Sequence, residues 1–528
     1  MKDNTLNNQP VYRIELSCYH EEMRRLRVEE GMDFMRFMTG CDWGEDGLGV
    51  ICLLENTKTG KNISVSTVTE NREHPEIPSV ADIWKTAELN EREVYDFLGI
   101  HFTGHPDMRR LYLREDWVGF PLRKDYDMSE AINPLRMTNE EARDTTDYYE
   151  IQSDGSVIKK RDVIFENDEY VINIGPQHPA THGVLRFRTS LEGEIVKKLD
   201  IHLGYIHRGI EKMCESLTYP QILALTDRLD YLSAHHNRHA FCMAVEQALG
   251  VEVSERVQYI RTIMDELQRI DSHLLFFSCA CMDLGALTAF FYGFRDREKV
   301  LDIFEGTTGG RLIQNYNVIG GVQADIATDF VQEVKKFVAY LRPVLKEYHD
   351  VFTGNVIMQQ RMKGVGILSC EDAISFGATG GSGRASGWAC DVRKRHPYAM
   401  YGKVDFKEIV AEKGDSFSRY MVRMKEIEQS LNIIEQLIDN IPVGEYRMKQ
   451  KPVIRIPEGH YYAAVEASRG EFGVHIESRG DKYPYRVKFR STGLPLVACL
   501  DTISRGVKIG DLIAIGATLD YVVPDIDR

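Results

Sequence analysis

Two histidines four residues apart lie in a stretch whose composition disfavours regular structure. His178 and His182 belong to NIGPQHPATHGVLR, residues 173–186, where glycine and proline flank both of them. Proline has no backbone N–H and glycine weakens helices and strands, so the pattern predicts a rigid loop that presents two imidazoles. Imidazole exchanges protons near neutral pH and ligates metals. The loop is therefore a candidate chemical site, and the alternative is that both rings only bond nearby backbone.

Metal binding is a first hypothesis for these histidines. His178 and His182 could act with His235 and His239, which are four residues apart in a predicted helix. The sequence HHNRH at 235–239 lacks the glutamate of the HExxH motif, which argues against metal-dependent hydrolysis. The ten cysteines include no Cys-x-x-Cys pair, so neither a zinc site nor a complete iron-sulfur motif is expected. We interpret them as reduced core thiols.

Phosphate binding is a second hypothesis, suggested by GATGGSGRASG at 377–387. The third glycine of a dinucleotide-binding loop is missing and no clear strand precedes the segment. We therefore interpret it as a tightly turned structural loop.

Proton transfer is a third hypothesis, carried by His182, Tyr231 and Asp283. Tyrosine can donate a proton, histidine can donate or accept one, and a buried carboxylate can fix the tautomer of a histidine. Sequence spacing alone does not bring the three together. A core tyrosine and a helix-capping aspartate remain the alternatives.

Bulk properties limit the class of protein. A chain of 528 residues is too long for one core, and its contents of 43% hydrophobic and 27% charged residues are typical of soluble globular proteins. The net charge of -15 argues against nucleic-acid binding, and the basic run at 393–396 is interpreted as a solvated face or a partner contact. Residues 1–10 lack the apolar core of a signal peptide, which predicts a protein that stays in the cytoplasm.

Residues 274–294 are apolar except for Asp283 and have the length of a membrane span. The central acid and two glycines instead favour two buried elements that meet near Asp283.

The fold class predicted from the pattern is α+β with two domains. Residues 1–127 should form a small α/β domain that contains a hairpin (47–55 and 62–70), a helix (83–98, capped by Gly99) and a charge-rich surface segment (101–126). Residues 128–162, rich in charge and without periodicity, are predicted to be a linker.

Residues 163–528 should form a large, mainly helical bundle with peripheral strands. Helices are predicted at 219–249, 252–282, 287–306, 324–352 and 415–440, and strands at 163–174 and near 183–190. A small hairpin layer at 461–490 should close the domain.

Several long motifs resemble one family. GPQHPATHGVLR (175–186), GYIHRGIEKMCE (204–215), DRLDY (227–231), DLGALT (283–288), TGGSGRASG (379–387) and EASRGEFG (466–473) resemble the D subunit of respiratory complex I, the proton-pumping NADH-quinone oxidoreductase. The segment at 91–113 is similar to the C subunit of the same complex. The chain thus resembles a fusion of both, with the predicted linker at the join.

The resemblance implies ancestry shared with the large subunit of nickel-iron hydrogenases, without the nickel-binding cysteine pairs and with quinone in the vacated cavity. It also implies that His182 and Tyr231 hold the quinone head group, with Asp283 beside His182. Arg208 and Arg228 match arginines close to a terminal [4Fe-4S] cluster that belongs to the B subunit of the complex. This chain would then hold no tightly bound cofactor, and alone it would be inactive and bind no metal.

The implied activity is quinone reduction by NADH through FMN and iron-sulfur clusters, coupled to proton translocation. Partners would be the B subunit, other peripheral-arm subunits and the membrane subunit facing the quinone channel, on the cytoplasmic side of the inner membrane. Two alternatives remain: a related energy-converting complex fed by ferredoxin or another donor, and a purely structural subunit.

The sequence departs from the family pattern in RLIQNYNVIGG (311–321), where Ile313 replaces a histidine and Val318 an arginine. The family's histidine lies beside the terminal cluster and links its reduction to proton uptake. Isoleucine cannot titrate, so we expect a cluster of low potential that is nearly insensitive to pH. A low-potential acceptor suits it, which predicts menaquinone as the substrate.

Overall fold

The computed structural model describes residues 5–7, 9–115, 117–127, 145–151, 157–165, 169–178, 181, 183–449 and 453–528. The N-terminal unit (residues 5–127) contains β1 Thr5–Leu6, β2 Gln9–Pro10, β3 Tyr12–Arg13, α1 Tyr19–Val28, β4 Phe34–Asp42, β5 Leu48–Glu55, β6 Asn62–Thr69, β7 Glu76–Pro78, α2 Lys85–Leu98 and β8 His101–Thr103.

The N-terminal unit is built on a four-stranded sheet in the order β3-β6-β5-β4. The predicted hairpin is confirmed, because β5 and β6 pair antiparallel from Leu48↔Thr69 to Glu55↔Asn62. The predicted helix is α2, and Gly99 ends it in the left-handed conformation with its N–H bonded to the carbonyl of Tyr95.

The segment that follows α2 is irregular, as predicted, but the prediction that it lies on the surface is wrong in part. Leu111, Tyr112 and Leu122 are buried. Buried Asp96 accepts the backbone N–H groups of residues 111–113 at 2.8–3.1 Å and pairs with Arg110 at 2.9 Å. A chain without regular structure can be buried here because a carboxylate satisfies its backbone donors.

The predicted linker contains regular structure. β9 Thr145–Ile151 and β10 Val157–Val163 form an antiparallel pair, with Ile151 opposite Val157. Residues 128–144 and 152–156 lie outside the described part of the chain.

The larger C-terminal part is mainly helical. Its elements are β11 Tyr170–Ile174, β12 Gln177–His178, β13 Gly183–Val184, β14 Arg186–Glu192, β15 Ile195–His202, α3 Ile210–Cys214, α4 Tyr219–Thr226, α5 Ala234–Leu249, α6 Glu255–Asp283, α7 Leu287–Thr308, β16 Asn317–Val318, β17 Gly321–Val322, α8 Phe330–Tyr348, α9 Val356–Met362, α10 Cys370–Phe376, α11 Gly380–Ala385, α12 Val392–Arg395, α13 Ser416–Ile438, β18 Gly459–Ala467, β19 Gly470–Ser478, β20 Arg486–Arg490, α14 Gly493–Ala498, α15 Leu500–Ser504, α16 Ile509–Leu519 and α17 Val523–Ile526.

The helix predicted at 219–249 is wrong in its middle, because residues 227–233 separate α4 from α5. The side chain of Asp230 accepts the N–H of Leu232 at 3.0 Å, and its carbonyl accepts that of Ser233. Aspartate competes with the helix for backbone donors in this way. We call residues 227–233 the tyrosine turn, since it carries Tyr231.

The apolar stretch at 274–294 divides as predicted into two elements that meet near Asp283, where α6 ends four residues before α7 begins. Among the described residues, the structure contains no helix that is long and apolar enough to cross a bilayer.

The basic run at 393–396, interpreted from the sequence as a solvated face or a partner contact, is only partly solvated: Lys394 is exposed, but both arginines pair within the chain. Arg393 is buried and bonds Asp391 at 2.6 Å and Glu266 of α6 at 3.1 Å. Arg395 forms an ion pair with Glu55 of the N-terminal unit. Asp391 is a near neighbour in sequence, but Glu266 and Glu55 come from distant parts of the chain, so the local sequence contains no sign of these two partners.

The predicted C-terminal hairpin layer belongs to a larger sheet, with strand order β2-β1-β18-β19-β20. β1 lies parallel to β18, with Leu6 opposite His460. Ion pairs also join the N-terminal unit to the C-terminal part, including Arg36–Glu471 at 2.9 Å and Arg109–Asp200 at 2.8 Å. The two parts of the chain therefore share backbone and charge contacts.

The glycine-rich segment at 377–387 is not simply the predicted loop, because Gly380–Ala385 form helix α11. An added Cβ at Gly380 would lie 2.3 Å from the carbonyl oxygen of Arg469, so glycine is needed there for close backbone packing. All ten cysteines are free thiols, and seven are buried as predicted for core thiols; the prediction is wrong for Cys18 and Cys370, which are exposed, and for Cys279, which is half-buried.

Candidate functional site

The histidine loop, residues 175–186, is a short hairpin closed by β12 and β13, which pair with His178 opposite Gly183. The hydroxyl of Thr181 lies 2.7 Å from the carbonyl of His178 and 2.8 Å from that of Gly183. His178 is exposed. His182 itself lies outside the described residues, although its neighbours Thr181 and Gly183 are placed.

The histidine loop packs against the C-terminal helix α17. Gly183 has a φ of +138°, and an added Cβ there would lie 2.7 Å from Cγ2 of Val523. Only glycine satisfies both the conformation and the space. The position of the loop therefore depends on the last residues of the chain.

Tyr231 projects from the tyrosine turn, and 41% of its surface is exposed. Partial burial of the ring and the negative charge of Asp230 raise the pKa of Tyr231 above its ordinary value. A phenol in this state remains protonated at neutral pH and can serve as a hydrogen-bond or proton donor.

Arg469 lies in the turn between β18 and β19, and its guanidinium binds the tyrosine turn. Its buried guanidinium donates to Asp230 at 2.9 Å, to Ser272 of α6 at 3.1 Å and to Asp520 at 3.1 Å. The sequence analysis assigned no role to Arg469, Asp230 or Asp520. The one available signal was that Arg469 lies in EASRGEFG (466–473), one of the motifs that carry the family resemblance.

Asp283 is the last residue of α6 and is half-buried. Burial, followed by the charges of Asp520 and Asp283, raises the pKa of Cys279 to about 11. Cys279 is in turn one of the groups that raise the pKa of Tyr231. Tyr231 and Asp283 therefore both lie near enough to Cys279 to interact electrostatically with it. Because His182 lies outside the described residues, the grouping of all three side chains stays a prediction.

Arg208 and Arg228 lie side by side on an exposed face. Arg208 Nη2 lies 3.5 Å from the carbonyl oxygen of Arg228, which belongs to the tyrosine turn. Two exposed cations next to the candidate site can face a negatively charged group on another molecule.

Among the described histidines of the metal hypothesis, the structure separates exposed His178 from His235 and His239, which share one buried carboxylate. His235 and His239 are buried in the helical core, where Asp265 bonds them at 2.9 and 2.7 Å, whereas His178 is exposed. Within the described ranges, no group of three or more His, Cys, Asp or Glu side chains is arranged to hold a metal ion.

The segment at 311–321 lies against the tyrosine turn. The N–H of Asn315 donates to Asp227 at 2.9 Å, and Ile313 is half-buried nearby in sequence. Val318 is buried, and its carbonyl accepts a bond of 2.9 Å from Arg261. Ile313 and Val318, the two residues that depart from the family pattern, therefore lie in a segment that contacts the tyrosine turn.

Comparison with known families gives the class of protein. Residues 12–131 match the family model described as the 30 kDa subunit of respiratory-chain NADH dehydrogenase, and residues 283–528 match that of its 49 kDa subunit. One chain therefore combines two kinds of complex I subunit.

Individual relatives define the family more narrowly. The C/D subunit of NADH-quinone oxidoreductase from Phocaeicola vulgatus is 77% identical over 518 residues, which is 98% of this chain and 99% of the relative. The C/D subunit from Bacteroides fragilis is 69% identical over 525 residues, 98% of this chain and 99% of its own length. The D subunit from Desulfotalea psychrophila is 46% identical over 368 residues, 69% of this chain and 99% of its own. The chain belongs to the family of fused C and D subunits of NADH-quinone oxidoreductase, which confirms the resemblance seen in its motifs.

Proposed function

We propose that this chain forms the quinone-reducing site in the peripheral arm of an NADH-quinone oxidoreductase. The quinone head group binds between His182 and Tyr231, with Asp283 beside His182. The observation that carries the proposal is the partly exposed ring of Tyr231 on a turn fixed by the buried Asp230–Arg469–Asp520 cluster. A reacting group must be both accessible and held in place, and this arrangement gives Tyr231 both properties.

Two-electron reduction of a quinone creates two basic oxygens. Tyr231, whose raised pKa keeps it protonated, donates to one oxygen, and His182 protonates the other. Asp283 stabilises the charge that changes on His182. Arg208 and Arg228 face the terminal [4Fe-4S] cluster of the B subunit, where their positive charges favour addition of an electron.

The remaining assignments follow from membership of the complex. We propose that residues 1–127 correspond to the C subunit, 128–162 to the linker and 163–528 to the D subunit, with the hydrogenase-like fold of the latter. Electrons reach the cluster from NADH through FMN on partner subunits, and quinone reduction drives proton translocation. The chain contacts the B subunit, other peripheral-arm subunits and the membrane subunit at the quinone channel, on the cytoplasmic side of the inner membrane.

Menaquinone is the quinone we propose, because Ile313 removes a titratable group and Val318 a charge from the segment next to Arg228. The alternative donor, ferredoxin, is tested by the subunits that co-purify with this chain. A flavoprotein subunit that binds NADH supports the proposal, and its absence from an active complex supports the alternative.

The substitution Tyr231→Phe tests the quinone site, because it removes one hydroxyl and keeps the ring. In membranes that contain the assembled complex, we expect quinone reduction by NADH to fall at least tenfold, about 1.4 kcal/mol or more of transition-state stabilisation. Electron transfer from NADH to ferricyanide, which bypasses the quinone site, should be unchanged. Tyr12→Phe, at a tyrosine of similar exposure in the N-terminal unit, is the control. Normal quinone reduction by Tyr231→Phe would reject the proposed site and favour a purely structural subunit.

A further inference from the structure

The last nine residues of the chain, 520–528, contact several separate parts of the candidate site; we call them the C-terminal segment. Asp520 pairs with Arg469, which holds the tyrosine turn. Burial and then the charge of Asp283 raise the pKa of the neighbouring Tyr521. Val523 packs against Gly183 of the histidine loop. A shift of this segment would therefore move the histidine loop and the tyrosine turn relative to each other.

The C-terminal segment is also bonded to the two stretches of chain on which it lies. One oxygen of Asp525 accepts bonds from the hydroxyls of Ser491 and Thr492 and from the N–H of Thr492, at 2.7–2.9 Å. The carboxylate of Asp527 accepts the N–H groups of Gly204 and Ile206 at 2.9 and 3.1 Å. These bonds fix the turn that leads to Arg208.

Glu93, a residue of the N-terminal unit, forms an ion pair with Arg528 at the end of the C-terminal segment. Glu93 of α2 is buried and accepts a bond of 2.5 Å from Nη2 of Arg528. It also forms an ion pair with Lys488 of β20. Glu211 completes the cluster, bonding Arg528 at 3.1 Å and Arg486 at 2.7 Å.

The charges of this cluster make Glu93 hard to replace. Three cations, Lys488, Arg486 and Arg528, share two carboxylates, Glu93 and Glu211, away from water. Without Glu93, one carboxylate would remain for three buried cations, and Arg528 would lose its shortest bond. The C-terminal segment would then be free to shift.

We propose that Glu93, in the N-terminal unit, is a positioning residue for quinone reduction. Through Arg528 it fixes the C-terminal segment, which in turn holds the histidine loop, Arg469 and the turn of Arg208 in their relative positions. This inference rests on the proposed quinone site. It gives the N-terminal unit of the fusion a role in the geometry of the reaction.

The test uses the assembled complex with Glu93→Asp, which keeps the charge and withdraws the carboxylate by one methylene. We expect the KM for a short-chain quinone to rise roughly tenfold, because small displacements of positioned groups have effects of this size. Electron transfer from NADH to ferricyanide should be unchanged. Glu91→Asp is the matched control, since Glu91 is buried on the same helix but bonds Ser79 and Val80 within the N-terminal unit.

A second variant distinguishes the effect of moving Arg528 from the effect of an unbalanced charge in the buried cluster. Glu93→Gln combined with Lys488→Met keeps the net charge of the cluster and removes the closer of the two charged partners of Arg528, so that only Glu211 remains. We expect an assembled complex with a KM raised as in Glu93→Asp.

A normal KM in both Glu93 variants would overturn the inference. Loss of ferricyanide activity in parallel with quinone reduction in both would also overturn it, because Glu93 would then serve folding alone. If Tyr231→Phe is inactive while both Glu93 variants have a normal KM, the inference fails and the proposed site stands. A fully active Tyr231→Phe complex would reject both.

Discussion

The carboxylate of Asp230 lies 2.9 Å from Nη1 of Arg469, and Asp230 is the residue that precedes Tyr231. The same guanidinium reaches Asp520 at 3.1 Å. One buried cation therefore joins the turn that presents Tyr231 to the C-terminal segment. Because both carboxylates bind this one cation, we expect a substitution of Arg469 to disturb the candidate site although its side chain is buried.

Replacement of Arg469 should affect stability and quinone reduction differently according to the new side chain. Arg469→Gln leaves buried Asp230 without its cation and Asp520 with only the more distant Arg423, at 3.5 Å, which should lower the free energy of unfolding by about 3–5 kcal/mol. Arg469→Lys keeps the charge but cannot span both carboxylates, so we expect a smaller loss of stability and at least a tenfold loss of quinone reduction. Thermal melting and membrane assays measure the two effects. Arg479→Gln, at an exposed arginine, is the control, and normal quinone reduction by Arg469→Lys would contradict the prediction.

Gly183→Ala should displace the histidine loop, because the new methyl would lie 2.7 Å from Val523 at a φ of +138°. Strain of this kind costs roughly 1–3 kcal/mol. We expect quinone reduction to fall severalfold and Val523→Ala to restore part of it in the double variant. Gly193→Ala is the control, since Gly193 also has a positive φ but no atom within 4 Å of an added Cβ. Equal activities of the two single variants would show that the contact has no influence on the site.

The terminal cluster should have a midpoint potential that hardly changes with pH, and Ile313→His should introduce a dependence. A protonated imidazole favours the reduced cluster, so the potential of the variant should fall as pH rises across the neutral range. The slope can reach about 60 mV per pH unit for a one-electron centre. Redox titrations followed by electron paramagnetic resonance at three pH values measure it. A steep slope in the unmodified complex would show that another group replaces the histidine, and would remove this argument for menaquinone.

The helical core should lose stability in acid through Glu266. Burial alone would raise the pKa of this carboxyl, but Arg269, Arg393 and the hydroxyls of Ser430 and Tyr401 lower it to about 2 from an ordinary value of 4.5. The folded state therefore gains stability above pH 4.5 and loses it as the pH falls from 4.5 towards 2, by about 3 kcal/mol in all.

Melting temperatures of the purified chain between about pH 6 and pH 3 test this prediction. Glu266→Gln should be less stable at pH 6, because two buried arginines lose a charged partner, and its melting temperature should fall less steeply in acid. An identical slope in both proteins would assign the acid sensitivity to other carboxylates.

Structural features that depend on residues close together in the sequence could be predicted from it. The hairpin of β5 and β6 follows from alternating β-rich residues around a turn, and the end of α2 from a glycine in the left-handed conformation. The division at Asp283 follows from one acid and two glycines in an apolar stretch. The motifs that contain Tyr231 and Asp283, taken with the longer motifs elsewhere in the chain, were sufficient to identify the family.

Only the tertiary structure decided what those residues contact. The break between α4 and α5, the burial of Arg393 and the pairing of β1 with β18 all depend on partners far away in the chain. Arg469 meets Asp230 across 239 positions of sequence, and Arg528 meets Glu93 across 435. A buried charge is stable only where an opposite charge is brought to it, and that depends on how the helices and sheets pack. The sequence by itself therefore determined the family and the candidate catalytic residues, while the packing of the chain decided which buried ion pairs position them.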